Sequence, residues 1–218
     1  MSADRPGDRP DEVEKRWLDV SRIVFFNDAV FAIAMTVLVL NFRVPEGLSG
    51  DAEPKLARLL GDHWDDFLAY FVSFAVLSFY WVAHHRLFGR VQRADHRLLY
   101  LNLVFLAFIV LLPFPSELLQ HYGDTEAAVT LWAAVIAVAG AAFTALAVHI
   151  GRAGLYEPAP PETHHRHTIL RHATVPVVFA ASIPVAIFNV TAAKLVWILV
   201  LVGFVVYRFH FGTIHDSH

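Results

Sequence analysis

The chain has 218 residues, 56% of them apolar and 17% charged, with no cysteine and a formal net charge of -3. A mean hydropathy of +0.50 and an apolar content above the roughly 45–50% of soluble domains point away from water. The slightly acidic balance excludes a basic nucleic-acid surface, and the missing cysteines exclude disulfide scaffolds, thiolate metal sites and cysteine catalysis.

Residues 1–15 are polar, carry two Arg-Pro pairs and lack the apolar core of a signal peptide, so they read as a flexible tail. Residues 16–212 read as one membrane domain and 213–218 as a C-terminal tail. The charges leave long intervals free. Ile23 to Phe42 is 20 residues with Asp28 as the only charge, about 30 Å of helix and so a match to the hydrocarbon thickness. Nineteen uncharged residues separate Asp66 from Arg86, nineteen separate Arg97 from Glu117, and 25 separate Glu126 from Arg152. Between Arg171 and Arg208 lie 36 residues with Lys194 as the only charge. One helix of that length would run about 54 Å, too long for a bilayer, so the stretch divides. Asn189, Thr191 and Lys194 supply a tight turn, while Trp197 and Tyr207 suit the interfaces. The expectation is an all-α protein with six transmembrane helices at about 20–43, 65–86, 97–116, 126–151, 171–188 and 193–211, five being the alternative. The gap from Arg43 to Asp66 holds Leu56, Leu59 and Leu60 in the pattern of a short surface helix.

Basic residues set the orientation. With six spans, thirteen Lys and Arg fall on one side and four on the other, which predicts a multi-pass protein of a bacterial inner membrane with both termini cytoplasmic. The opposite side holds Asp51, Glu53, Asp62, Asp65 and Asp66, either a cation-concentrating entrance or plain solvated charge. No internal repeat of the inverted-transporter kind is visible.

The first span carries the unusual chemistry. Asp28 lies inside the apolar segment, where an acid costs up to about 2.5–3.5 kcal/mol. It either shapes an ion path or is a structural acid satisfied by Arg22 or by neighbouring helices. Trp81, His84 and His85 end the second span at the same depth, and Asn102 sits one turn into the third. A network joining Asp28, Asn27, a histidine and Asn102 would satisfy all of them. His164, His165 and His167, with His172 nearby, read as a flexible titrating loop beside Pro158, Pro160 and Pro161, or else as a zinc or nickel site; no metal site is assigned.

The stretch from Arg22 through Phe26, Asn27 and Asp28 into an Ala/Ile-rich helix with Thr36, ending at Arg43-Val44-Pro45, resembles the first helix of the transmembrane protein 175 family. Tyr80-Trp81, His84-His85-Arg86, Phe88, Asn102 and Leu112-Pro113-Phe114-Pro115 fit the same resemblance. Asn27 stands where the family pattern has Ser. The resemblance implies a potassium-permeable channel, not an enzyme: a homotetramer in the lipid bilayer, its pore on a four-fold axis formed by the first helix. It implies pore-lining Ile33, Val37 and Leu40, a polar layer at Thr36, and a helix-locking network of Arg22, Phe26, Asn27, Asp28, Trp81, His84, His85 and Asn102. No cofactor is implied, only potassium ions as the permeant species. Spacings of four and three put Ile33, Val37 and Leu40 on one helical face. The alternative reading is a proton-permeable or proton-coupled transporter that uses Asp28 and the histidines at the membrane ends.

Overall fold

A computed structural model of the chain describes residues 19–40, 64–156 and 162–197. Its helices are α1 (Val20–Leu40), α2 (Trp64–Phe88), α3 (His96–Leu111), α4 (Pro113–Tyr122), α5 (Glu126–Arg152) and α6 (Glu162–Phe188), followed by a helical stretch at 190–197. Four segments are long and apolar enough to cross a membrane: Val20–Leu40, Asp66–Phe88, His96–Tyr122 and Glu126–Arg152; His172–Phe188 is a shorter apolar helix. The tail 1–15, the short helix expected around Leu56, Leu59 and Leu60, most of the span 193–211 and the tail 213–218 lie outside the described residues.

Helix α1 buries Ile23, Asn27, Phe31, Ala34 and Leu38, a stripe with steps of three and four that marks one helical face. It packs against α2, α3 and α4. The third span differs from expectation. It is not one helix over 97–116: α3 stops at Leu111 and α4 continues to Tyr122. Pro113 has no N–H to give Ile109, and the Leu112 N–H donates to the Ile109 carbonyl instead, at 3.3 Å. The helix restarts when the Ser116 N–H and hydroxyl both donate to the Leu112 carbonyl, at 3.1 and 2.8 Å, so the bend is the local consequence of one proline.

Helix α5 is the hub, packed on α3, α4 and α6. Of its apolar window 56% is buried, against 28% for α1, so α5 is the core helix and α1 the peripheral one. Close approach depends on Gly140: a Cβ there would stand 2.8 Å from both Pro176 Cδ and the Tyr80 hydroxyl oxygen. Tyr80 is fixed because its hydroxyl donates to the Ile136 carbonyl at 3.0 Å, so α2, α5 and α6 converge on one glycine. At the end of α5, Gly154 takes a positive φ of 64°. Its N–H donates to the Gly151 carbonyl and the Leu155 N–H to the Ile150 carbonyl, a Schellman closure. Asp95 N-caps α3 by accepting from the Leu98 N–H at 2.7 Å, and both its oxygens lie 3.0 Å from His149 Nε2 on α5.

The last described segment corrects two expectations. Helix α6 begins at Glu162, not 171, so His164, His165 and His167 lie on a helix rather than in a loop. The chain then reverses at Asn189 alone; Thr191 and Lys194 are already helical. The Asn189 carboxamide oxygen accepts from the Ala192 N–H at 2.9 Å, an N-cap that starts the new helix. Trp197 does not sit at an interface. It is buried, its indole N–H donates to the Ser182 hydroxyl at 2.8 Å, and its ring centroid is 4.5 Å from that of Trp132. A partner for its N–H lets the indole enter the core. Lys194 donates to Asp124 at 3.3 Å, tying this hairpin to the turn before α5.

Two outcomes follow. Gly140→Ala is expected to cost about 1–3 kcal/mol through overpacking against a rigid ring, read as a lowered thermal midpoint in detergent; an unchanged midpoint would contradict the close contact. For Asp95, partial burial pushes the carboxyl up, but the Leu98 N–H and His149 outweigh it and hold the group below the usual carboxylate range. A depressed carboxyl contributes stability above its unfolded pKa and loses it as pH falls through the folded one. Asp95→Asn keeps the cap but not the charge, so the gap between wild type and variant should be widest near neutral pH and close under strongly acidic conditions. A pH-independent gap would overturn this.

Candidate ion-pathway helix and its polar lock

Three fully enclosed polar side chains join α1, α2 and α3. Asn27, His84 and Asn102 are at most 2% exposed. Asn102 Nδ2 donates to Asn27 Oδ1 at 2.8 Å, His84 Nε2 lies 2.9 Å from Asn102 Oδ1, and Asn27 Nδ2 approaches His84 Nε2 at 3.3 Å. An amide oxygen only accepts, so with the amides oriented this way Nε2 carries the proton toward Asn102. The contact to Asn27 Nδ2, a second donor, is then the long side of the triangle and not a bond.

Aromatic rings wall this triangle off. His84 stacks on Phe88 at 4.3 Å and on Phe105 at 5.7 Å, with Phe31 at 5.8 Å and Phe143 at 6.3 Å. Sequence reasoning identified the triangle's members but not its walls. Phe31, Phe105 and Phe143 are ordinary apolar residues whose convergence depends on helix crossings. Asn27, in the place of the family Ser, is the residue that reaches Asn102.

Asp28 does not join the triangle. One step along the helix turns a side chain by about 100°, and Asp28 leaves the buried stripe for its flank. There its carboxylate accepts from the Trp81 indole N–H at 2.9 Å; His85, exposed, stacks on the other side of Trp81 at 5.7 Å. Among the described residues no ion pair links Asp28 to Arg22, which is exposed, as is Phe26. The expected network is thus two neighbouring units, a closed triangle and an Asp28–Trp81 pair.

The remaining site residues lie on the other flank of α1. Ile33 is 61% and Leu40 75% exposed, Val37 is half-buried, and the Thr36 hydroxyl donates to the Ile33 carbonyl at 2.9 Å. Five residues at about 100° each separate Asp28 from Ile33 by about 140° around the axis. Asp28 and the aliphatic row therefore face different surroundings.

Residues 22–113 match the family model described as Endosomal/lysosomal potassium channel TMEM175. A Streptomyces collinus protein named as a potassium channel is 36% identical over 157 residues, covering 70% of this chain and 75% of that protein. The chain belongs to the TMEM175 family. A crystal structure described as a lysosomal potassium-selective channel TMEM175 homologue from Chamaesiphon minutus superposes with a TM-score of 0.74 at 27% identity, over 86% of this chain and 96% of that one. The mouse protein named endosomal/lysosomal proton channel TMEM175 is 36% identical over 105 residues, 46% of this chain but 21% of that longer protein. Family membership and the apolar helices make the chain a multi-pass membrane protein. The region matching the TMEM175 model contains the whole triangle and the Asp28–Trp81 pair.

Breaking the triangle strands buried donors and acceptors, so Asn102→Leu is expected to cost about 1–3 kcal/mol. Trp81→Phe removes one partly exposed bond and should cost less than about 1 kcal/mol by the same reasoning. Thermal unfolding of the two variants in detergent checks the order; equal losses would contradict it.

Proposed function

We propose that this chain forms a potassium-permeable cation channel in which four copies surround a central pore lined by α1. The supporting observation is the row Ile33, Val37 and Leu40, left uncovered by the chain's own helices while the opposite stripe of α1 is locked to α2 and α3. Four such rows facing one axis make a narrow aliphatic neck. It closes by dewetting, since a constricted apolar tube does not retain water. Opening widens it until a partly hydrated cation passes. Potassium sheds water more cheaply than sodium, which gives moderate preference without a carbonyl filter, and Thr36 adds a polar layer beside the neck. Relatives named as potassium channels, from Streptomyces collinus and Chamaesiphon minutus, support the permeant ion.

In this reading the chain crosses a bacterial inner membrane six times with both termini cytoplasmic. The reversal at Asn189 supports a division of the last apolar stretch. Arg86, Arg90, Arg93, Arg97 and Arg152 cluster around the α2–α3 and α5–α6 connections, joined by the Val91–Tyr156 bridge, and form the basic cytoplasmic end. Asp28 with Trp81 and the Asn27–His84–Asn102 triangle position α1 and do not contact the ion. The second reading is proton permeation through the same neck, favoured by the name of the mouse relative.

One experiment separates them. Reconstituted in planar bilayers under opposed potassium and pH gradients, the protein should pass current that reverses near the potassium equilibrium potential. Reversal near the proton potential would favour the second reading, and flux that saturates or demands a counter-ion would defeat both. Ile33→Asn should wet the neck and raise conductance several-fold; unchanged conductance would remove Ile33 from the constriction.

A further inference from the structure

One end of the bundle has a cleft that conduction leaves unused. It has a volume of about 210 Å³ and is lined by Gln92, Arg93, Gly154, Leu155 and Tyr156. Its two walls come from different connections, α2–α3 and α5–α6. They are pinned together by the Val91–Tyr156 bridge and by the Gln92 N–H donating to the Leu155 carbonyl at 3.1 Å. The Schellman closure shapes one wall: Gly154 presents no side chain, and space for a Cβ there is open.

The chemistry around the cleft is cationic. Residues 86–97 contain Arg86, Arg90, Arg93 and Arg97 against a single acid, Asp95, and Arg152 closes α5. Asp95 already faces His149 and Leu98. Burial raises the Tyr156 phenol above its ordinary value, with Arg90 opposing weakly, so Tyr156 remains a neutral hydroxyl donor at any physiological pH. Donors of this kind, an arginine with a phenol, a carboxamide and backbone, suit a phosphate.

A second feature continues from the first. Along α3, Arg97, Tyr100, Val104, Ala107 and Leu111 are all exposed, at steps of three and four that place them on one face. Going into the span the stripe runs cation, aromatic, aliphatic. That is the order of a headgroup, an interface and an acyl region.

We propose that the cleft binds the phosphate of an anionic phospholipid, with Arg93 as its principal cation and the acyl chains lying along the α3 stripe from Tyr100 to Leu111. The lipid would bridge the two connections that the Val91–Tyr156 bridge joins. The proposal does not depend on which ion, if any, the chain conducts.

The test uses the full chain purified in neutral detergent, with thermal unfolding followed after addition of dioleoyl phosphatidylglycerol, dioleoyl phosphatidylcholine or inorganic phosphate. Specific binding to the folded state raises the midpoint by mass action. Phosphatidylglycerol should raise it by about 3 °C or more beyond phosphatidylcholine, and inorganic phosphate should have little effect. The double variant Arg93→Gln/Arg97→Gln should lose most of that difference, while Lys194→Gln, at the other end of the bundle, should keep it. Equal shifts with the two lipids, an equal shift with inorganic phosphate, or a double variant that retains the difference would each overturn the proposal. The wild-type lipid comparison decides even where the double variant is too unstable to purify.

Discussion

The architecture depends on one buried polar triangle, Asn27 with His84 and Asn102, which fixes the first helix to the second and third. A membrane supplies little hydrophobic drive for one apolar helix to pack on another, because lipid tails are as apolar as leucine. Helix α1 has a narrow buried stripe and a wide uncovered remainder. Apolar contact alone would leave its rotation weakly specified. Three enclosed polar groups are different, since turning α1 away would strand an amide among Phe31, Phe105 and Phe143. The triangle therefore sets the angle at which α1 presents its other faces.

From that constraint the functional geometry follows. With Asn27 pinned inward, the helical repeat sends Asp28 to one flank and Ile33, Val37 and Leu40 to the other. The acid that is so conspicuous in the sequence holds Trp81 at the surface of α2, and the conduction row is a set of unremarkable aliphatics. The proline bend at Leu112 and the Gly140 contact play the same part further from α1, shaping α4 and α5 so that α2 and α3 meet where His84 and Asn102 can touch.

Much of this was legible in the residues. Uncharged intervals between charges gave α1, α2 and α5 to within a few positions, and single polar residues in apolar spans pointed to Asn27 and Asn102. The sequence could not choose between His84 and His85, because adjacent residues differ by a helical turn angle that only packing decides. It also treated Asp28 as part of one network, for the same reason. Pro113 was visible, but not the length of helix beyond it. The start of α6 was hidden by the prolines before Glu162, which read as loop. Trp197 was assigned to an interface because indoles favour one; the Ser182 hydroxyl that satisfies it inside the core lies fifteen residues back and has no local signature. Gly140 was invisible as a contact, since its role depends on where α5 crosses α6.

The central claim is that the triangle acts as a unit. A double-mutant cycle on Asn27→Ala and Asn102→Ala, read by unfolding free energy in detergent, addresses it directly, because direct contact leaves the two losses non-additive. The account predicts a coupling of about 1 kcal/mol or more, with the second substitution costing less once the first is made. Losses that simply add would mean that the two amides are buried side by side without holding α1 in place.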